Sequence, residues 1–365
     1  MEFCDLHKQY LACQQEMDAA IQSVIHSASF INGKEIRLLE EELASYVGVK
    51  HALCCSSGTD ALLLPLMAYE LQPGDEVICP AYSYIASASM VSLLKGKPVF
   101  ADVSPADFNL DVSLIEEKIT SKTRGIIAVS LFGHCAGFRE INELAEKYGL
   151  WVIEDGAQSF GAGYFGKRSG ALTGVGTTSF FPAKPLGCYG DGGAIFTDQD
   201  ELADKIKMLR GHGQEKRYYH KYIGINGRMD TLQAAIVRVK LKYFDQELAV
   251  RQHSADLYSE LLEGLVVIPR TGEGKTATLA QYTIRTAQRD ALKQALQAQQ
   301  IPSAIHYPLP LPGQEAFQKD VPPGEQFPVS YELSKTALSL PMHGHITEEE
   351  IRQVAGAIRK FFTGI

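Results

Sequence analysis

Features typical of membrane, secreted and metal-binding proteins are missing from this chain of 365 residues. No run approaches the roughly 18 apolar residues of a membrane-spanning helix. The first ten residues carry acids and a histidine, whereas a signal peptide has an apolar core. The seven cysteines include no Cys-x-x-Cys pair, so they predict neither a disulfide framework nor a metal site. We therefore expect a cytoplasmic protein without a membrane segment and without a bound metal.

Excess positive charge is also missing, because the net charge is −8. A nucleic acid is therefore an improbable partner. Residues 205–228 are locally basic in contrast to this net negative charge, because they contain seven basic residues and the single acid Glu215. Such a segment is often only a solvated surface, and its first half fits that interpretation. Its second half, 216–228, is a candidate wall for an anionic substrate.

The apolar segments indicate an α/β fold. Short apolar runs that read as strands alternate with segments of helical periodicity, which is typical of a mainly parallel sheet covered by helices on both faces. The predicted strands are 51–55, 76–79, 98–102, 125–129, 150–155, 177–181 and 194–197. The predicted helices include 15–27, a helix capped by Asn32 and ended by Gly48, 111–119 and 137–148.

A second, smaller domain is expected at the C-terminus. A long helix is predicted from Asp230 to about Leu262, followed by a strand near 280–285 and helices at 289–299 and 347–362. We therefore divide the chain into a large domain, 1–240, and a linking helix with a small α+β domain, 241–365, on which the N-terminal helix could pack.

Two local patterns conflict with simple rules. Pro65 lies in a helical segment, where it predicts a kink or a later helix start. Residues 161–166 match the dinucleotide-binding pattern Gly-x-Gly-x-x-Gly, but no apolar helical period follows them. We therefore reject a nicotinamide cofactor.

The most informative stretch is 177–194. It reads as a strand that stops at Pro182, then Lys184, then a glycine-rich loop and a second strand. A lysine held between two buried strands is partly desolvated, which favours its neutral, nucleophilic amine. Such an amine suits a Schiff base to pyridoxal 5′-phosphate, and Asp155, at the end of an apolar strand, could hold the pyridine nitrogen protonated.

At this point the chain resembles a known family, the DegT/StrS group of nucleotide-sugar aminotransferases. The resemblance covers nearly the whole chain and rests on five motifs in the same order. These motifs are 57–62 (Ser-Gly-Thr-Asp-Ala-Leu), 154–158 (Glu-Asp-Gly-Ala-Gln), 179–184 (Ser-Phe-Phe-Pro-Ala-Lys), 190–193 (Gly-Asp-Gly-Gly) and 224–228 (Gly-Ile-Asn-Gly-Arg). It implies the fold-type I architecture of pyridoxal-phosphate enzymes, with a seven-stranded-type sheet.

The resemblance also implies an activity. Residues 180–191 look most like the branch that transfers an amino group from glutamate to C3 of a UDP-linked 3-keto-2-acetamido uronic acid, for bacterial surface polysaccharide such as O-antigen and lipopolysaccharide. Two alternatives stay open. One is an aminotransferase for a dTDP- or UDP-linked 3- or 4-keto-6-deoxysugar, and the other is a non-catalytic pyridoxal-phosphate-binding regulator. A related dehydratase branch replaces the lysine by histidine, so Lys184 argues against it.

The family implies roles for individual residues. Lys184 and Asp155 are the expected catalytic residues, and Asn226 is expected to reach the cofactor phosphate of a neighbouring subunit, which makes a homodimer with shared sites. The remaining expected cofactor contacts are Gly58, Thr59, Tyr84, Gln158 and Ser179, and the expected substrate contacts are Arg228, His306 and Tyr307.

Overall fold

The computed structural model describes residues 1–364. Its strands, numbered along the chain, are β1 (His51–Cys55), β2 (Glu76–Pro80), β3 (Lys97–Ala101), β4 (Thr123–Val129), β5 (Trp151–Asp155), β6 (Gly163–Tyr164), β7 (Lys167–Arg168), β8 (Val175–Ser179), β9 (Gly193–Thr197), β10 (Gln214–Lys216), β11 (Tyr219–His220), β12 (Lys275–Thr276), β13 (Tyr282–Arg285) and β14 (Ala337–Leu340).

The α-helices are numbered in the same way. They are α1 (Leu6–Ala12), α2 (Gln14–Ser27), α3 (Lys34–Val47), α4 (Gly58–Ala68), α5 (Ala86–Leu93), α6 (Phe138–Tyr148), α7 (Asp200–Leu209), α8 (Thr231–Leu241), α9 (Phe244–Leu262), α10 (Arg289–Ala298), α11 (Pro328–Thr336) and α12 (Glu348–Thr363). Within residues 1–364, none of these helices combines the length and the apolar character needed to cross a bilayer.

A seven-stranded sheet forms the centre of the fold, in the order β1-β9-β8-β5-β4-β2-β3. The pairs β2-β3, β2-β4, β4-β5 and β5-β8 are parallel, whereas β9 runs antiparallel to both β1 and β8. The α/β prediction with a mainly parallel sheet is therefore confirmed.

Both faces of this sheet are buried. On one face, side chains such as Leu53 and Ile153 pack with α4, α5 and α7, and on the other, Cys54 and Phe196 pack with α2, α3 and α8. Because successive residues of a strand face opposite sides, a strand between two helical layers is apolar along its whole length. This explains the continuous apolar runs in the sequence.

The C-terminal part has its own apolar cluster. There β13 and β14 form an antiparallel pair, against which α9, α10 and α12 pack through residues such as Tyr258, Leu296 and Ile358. The predicted strand near 280–285 and the helices at 289–299 and 347–362 are present with small shifts of their ends.

Four local predictions need correction or qualification. Asn32 does not cap α3, because the helix begins after Gly33 and no side chain caps it. Residues 111–119 form two short 3₁₀ turns, at Val112–Leu114 and Glu116–Lys118. The long helix predicted from Asp230 is interrupted between α8 and α9. Finally, α4 does not start late to avoid Pro65 but contains it.

The Gly-x-Gly-x-x-Gly segment forms a β-hairpin. Its strands β6 and β7 pair with each other, and β6 also pairs with β12, where the backbone N–H of Gly163 donates to Thr276 Oγ1 over 2.8 Å. The prediction that no helix follows this motif is confirmed.

Candidate active site

The sheet register brings three predicted site segments to one edge. Asp155 ends β5 and is paired with Thr177 of β8, so the carboxyl ends of these parallel strands are neighbours. Ser179 at the end of β8 is opposite Gly193, which is in turn opposite Cys55 at the end of β1. The start of α4, only three residues later, therefore lies at the same edge, where ligands bind in open α/β sheets.

The start of α4 is in close contact with the end of β8. A Cβ atom at Gly58 would lie 2.5 Å from Cβ of Ser179, so position 58 has no room for a side chain. Ser57 caps the helix by accepting a hydrogen bond from the backbone N–H of Asp60 over 3.0 Å. The first-turn N–H groups of Gly58 and Thr59 have no partner within the helix, which makes this helix start suitable for an anion.

Lys184 lies in a tight turn that follows β8. Its backbone N–H donates to the carbonyl of Phe181 over 2.8 Å, and the N–H of Cys188 donates back to Phe180 over 2.7 Å. Gly187 permits this turn, because a Cβ there would lie 2.4 Å from the carbonyl oxygen of Pro182. The turn between β8 and β9 thus presents the lysine side chain at the sheet edge.

The environment of Lys184 favours its neutral form. The residue keeps some exposure at the surface, yet surrounding protein atoms withdraw its ammonium from water, and this burial lowers its pKa. Burial likewise raises the pKa of Asp155, against the opposing effects of the Ala157 N–H and of the Lys184 charge. The two groups therefore lie within electrostatic range of each other, and the charge of each opposes the pKa shift that burial produces in the other.

Two predicted residues from the C-terminal part lie at the same place. Burial and, second to it, the charge of Lys184 lower the pKa of His306 to about 4. Burial raises the pKa of Tyr307, with a smaller contribution from Asp155. Gln158 donates to the Tyr307 hydroxyl over 3.1 Å and accepts from the N–H of Phe132 over 2.7 Å. We call this group, Asp155, Gln158, Lys184, His306 and Tyr307, the lysine cluster.

The two tyrosines before α5 have different environments. Tyr82 is buried, and its hydroxyl donates to the carbonyl of His306 and accepts from the N–H of Tyr307. Tyr84 is 57% exposed, and its ring centroid lies 6.2 Å from that of Tyr307. Tyr82 thus holds the backbone of His306 and Tyr307 in place by hydrogen bonds. The ring of Tyr84 remains accessible beside the lysine cluster.

The structural role of Glu154 was not predicted from the sequence. Its buried carboxylate accepts hydrogen bonds from the Ser169 hydroxyl and from the N–H groups of Gly170 and Leu172. Burial nevertheless raises its pKa to about 7. Strand alternation could have indicated that Glu154 and Asp155 face opposite sides of the sheet, but the partners of Glu154 are too far along the chain to be inferred.

Asn226 and Arg228 lie apart from the contacts of the lysine cluster. Asn226 is exposed, and its Oδ1 accepts a hydrogen bond from Arg228 over 2.7 Å. The neighbouring carbonyl of Gly227 accepts from the N–H of Ser56, so the loop lies beside the segment that leads into α4. Nε of Arg228 is buried and has no hydrogen-bond partner within residues 1–364.

The basic segment contains both paired cations and an exposed hairpin. Cations of the first half pair with carboxylates, as in Lys205 with Glu70 and Arg210 with Glu40. Lys216 and Arg217 belong to the exposed β10-β11 hairpin, where Lys216 lies over the ring of Tyr219. Elsewhere in residues 1–364, no group of three or more His, Cys, Asp or Glu side chains is arranged to hold a metal.

Two curated proteins are similar to this chain over nearly its whole length. The UDP-2-acetamido-2-deoxy-3-oxo-D-glucuronate aminotransferase of Pseudomonas aeruginosa is 45% identical, over 98% of this chain and 99% of the relative. A pleiotropic regulatory protein of Geobacillus stearothermophilus is 41% identical, over 98% of this chain and 97% of the relative.

A solved structure has the same fold. The crystal structure of S. venezuelae DesV in complex with a ketimine intermediate superposes with a TM-score of 0.97, at 37% identity, and covers 100% of this chain and 99% of that one. The sequence profile of the DegT/DnrJ/EryC1/StrS aminotransferase family matches residues 12–359. The chain therefore belongs to the DegT/DnrJ/EryC1/StrS aminotransferase family.

Proposed function

We propose that this protein is a pyridoxal-phosphate-dependent aminotransferase that moves an amino group from glutamate to C3 of a UDP-linked 3-keto-2-acetamido uronic acid. The observation that carries the proposal is the proximity of Lys184 and Asp155 at the sheet edge, where burial lowers the pKa of the amine and each charge affects the pKa of the other group. The sugar assignment follows the name of the Pseudomonas aeruginosa relative. The product would serve the synthesis of a bacterial surface polysaccharide such as O-antigen.

The residues of the site fit pyridoxal 5′-phosphate. Any side chain at position 58 would collide with Ser179, so the contact leaves only backbone N–H and hydroxyl groups at the helix start, which suits a phosphate. Lys184 offers a primary amine for the aldehyde carbon, and Asp155 offers a buried acid for the pyridine nitrogen. The exposed ring of Tyr84 is available to stack on the cofactor ring.

When bound, the cofactor supplies an electron-withdrawing ring that carries the amino group between the two half-reactions. The protein positions groups and moves protons. Nζ of Lys184, whose pKa is lowered by burial, takes the proton from the α-carbon of glutamate and later delivers a proton to C3 of the sugar. Asp155 would hold the pyridine nitrogen protonated, and Gln158 would contact the cofactor ring.

The substrate side is assigned to the C-terminal residues and to basic groups. His306 and Tyr307 border the sugar pocket, where the neutral imidazole and the phenol of Tyr307 offer hydrogen bonds without adding charge. Arg228 reads a carboxylate, since its guanidinium has a buried nitrogen without a partner. Lys216 and Arg217 are the further candidates for the anionic wall.

We further propose a cytoplasmic homodimer with shared sites. Asn226 is exposed and contacts Arg228, which leaves its amide free to reach the cofactor phosphate of a second subunit. Ile223 is 92% exposed, and Tyr218 and Tyr219, a few residues earlier, are exposed as well, so this segment offers several apolar side chains to an interface. The seven cysteines are unpaired, as expected in a reducing compartment.

The division into domains 1–240 and 241–365 is part of the same proposal. The contacts of α1, which precedes the helix predicted at 15–27, support packing of the N-terminus on the second domain. Lys8 donates to Glu350 over 2.9 Å, and Gln9 donates to both carboxylate oxygens of Glu247.

A steady-state assay with glutamate and the UDP-3-keto uronate tests the function. We expect turnover with this sugar, and replacement of Arg228, Lys216 or Arg217 should raise KM for the uronate far more than for the matching neutral keto-sugar. Equal use of the neutral sugar by the wild-type protein would favour the keto-6-deoxysugar alternative. Absence of turnover with either sugar, in protein that binds the cofactor, would favour the regulator alternative, which the name of the Geobacillus relative keeps open.

A further inference from the structure

A second cavity, of about 350 Å³, opens between the loop that follows β3 and the segment that leads to β13. Its walls come from residues 105–108, 134–135, 267–272 and 275 together with Thr283 and Arg285. Within residues 1–364, no member of the lysine cluster lines it. A volume of this size lies in the range of roughly 300–1,000 Å³ that is usual for small-molecule sites.

The charge of this cavity is positive. Arg285 and Lys275 both line it, and no carboxylate of residues 1–364 lies within ion-pair distance of either one. The guanidinium of Arg285 lies 5.9 Å from the ring centroid of Phe108, and Lys275 donates to the carbonyl of Cys135 over 3.0 Å. One acid, Asp107, also lines the cavity. Two cations without acidic partners in one concave wall are suited to bind an anion.

A buried polar group in the wall has no partner. His134 is only 6% exposed, and its Nε2 has no hydrogen-bond partner within residues 1–364. Its Nδ1 lies 3.4 Å from Oγ1 of Thr271. In the adjoining lobe of the cavity, Oε1 of Gln281 is also without a partner. Because buried polar atoms in proteins are nearly always hydrogen-bonded, these two atoms indicate a ligand with polar groups of its own.

The other walls are apolar. Phe108, Ile268 and Pro269 face the same space as the two cations. We propose that this cavity binds a small organic anion, whose carboxylate or phosphate contacts Arg285 and Lys275 and whose remaining polar atoms meet His134. The apolar walls cover the carbon skeleton of the ligand. The proposal depends on neither the cofactor nor the sugar assigned above.

The cavity wall is joined to the lysine cluster by hydrogen bonds. Oγ1 of Thr283 lies 2.9 Å from Oγ of Ser339, and the same Oγ lies 2.9 Å from Nδ1 of His306. Thr283 lines the cavity, whereas His306 belongs to the lysine cluster. Two hydrogen bonds therefore separate Thr283, in the cavity wall, from an imidazole of the candidate active site.

Calorimetric titration of the cofactor-loaded protein tests the proposal. The probes are 2-oxoglutarate for a carboxylate, and inorganic phosphate and uridine monophosphate for a phosphate. Arg285→Gln removes a cation, and Ala106→Glu places a carboxylate on an exposed lining residue, which preserves the fold. We expect both variants to weaken one class of probe by about tenfold or more, as for the loss of a charge-assisted hydrogen bond.

The matched control is Arg352→Gln, which removes an exposed arginine of α12 that pairs with Glu348. It should leave each probe's affinity unchanged. Thermal unfolding checks that all variants are folded, and if Arg285→Gln is not, Ala106→Glu decides. The proposal is overturned if no probe, up to about 10 mM, shows an affinity that falls in the folded cavity variants and persists in the control.

Discussion

The side-chain amide of Gln158 donates a hydrogen bond to the hydroxyl of Tyr307 over 3.1 Å, although the two residues are 149 positions apart. Gln158 follows the carboxyl end of β5, and Tyr307 belongs to the C-terminal part of the chain. The other end of the same amide accepts from the N–H of Phe132. The bond therefore joins three separate segments of the chain at the lysine cluster.

Removal of this bond should cost stability. In Tyr307→Phe the amide N–H of Gln158 loses its acceptor in a buried setting, so we expect a loss of about 1–3 kcal/mol in the free energy of unfolding. Urea denaturation of the cofactor-free protein measures it. Tyr331→Phe, at a tyrosine that is 38% exposed, is the control and should change little. An unchanged midpoint in Tyr307→Phe would show that the bond contributes nothing.

Lys184 should carry the cofactor. Burial lowers its pKa, so its amine is the most nucleophilic candidate at the sheet edge. Borohydride reduction followed by peptide mapping should place the reduced pyridoxyl group on Lys184, and Lys184→Arg should prevent the labelling. A label on Lys167 or Lys205 would refute the assignment.

Asp155→Asn should lower the catalytic rate without unfolding the protein. The amide cannot stabilise a protonated pyridine nitrogen, so we expect kcat to fall by on the order of 100-fold or more while the fold is kept. Asp155→Ala should also weaken cofactor binding. The matched control is Glu154→Gln, which should lower stability instead, because Glu154 accepts three hydrogen bonds from residues 169–172. Near-normal turnover in Asp155→Asn would show that another acid keeps the pyridine nitrogen protonated.

Asn226 should act across a dimer interface. Asn226→Asp places a negative charge against the cofactor phosphate, and Lys184→Ala removes the reacting amine. In randomly mixed dimers, each mixed dimer has one site with both defects and one with neither, so about a quarter of wild-type activity should return. If Asn226 serves its own chain, no activity returns. Mass spectrometry of differently tagged subunits verifies the exchange.

The stability of the protein should fall in mild acid partly because of His134. Burial lowers its pKa from 6.5 to about 4, so the unfolded chain takes up the proton first as the pH falls. The contribution is fully present above pH 6.5 and is lost as the pH falls to about 4. It amounts to about 3 kcal/mol, since each pH unit corresponds to ~1.4 kcal/mol.

Urea denaturation of His134→Gln at several pH values measures this contribution. Its stability should depend less on pH than that of the wild-type protein across this range. The exposed His26→Gln is the control and should follow the wild-type curve. A pH dependence identical in His134→Gln and in the wild-type protein would contradict the prediction.

The sequence predicted the sheet well because buried strands and amphipathic helices leave strong local signals. The sequence did not predict those features that depend on contacts with residues distant in the chain. The helical pattern that predicted one helix from Asp230 continues through Lys242 and Tyr243, but in the structure the helix is interrupted at these two residues. The cap expected at Asn32 lies one residue too early, since Gly33 packs against Thr231 and its N–H donates to that side chain.

The candidate site was likewise predictable only in part from the sequence. Lys184 and Asp155 stand out in the sequence because their local context is unusual. The bond between Gln158 and Tyr307 joins residues 149 positions apart. Likewise, the bonds of Glu154 to residues 169–172 depend on how a distant loop folds back over β5. Tertiary contacts of this kind have no periodicity that a single sequence could reveal.

The pairing of β12 with β6 limits how far the C-terminal part of the chain can move away from the main sheet. Thr278 Oγ1 also donates to the carbonyls of Ser159 and Phe160, and Lys275 Nζ donates to that of Cys135. Residues 275–278 thus fasten the start of the C-terminal part to the rim of the main sheet. A wide hinge opening at this seam would break all of these bonds together. We therefore expect substrates to enter and leave without a wide opening at this seam.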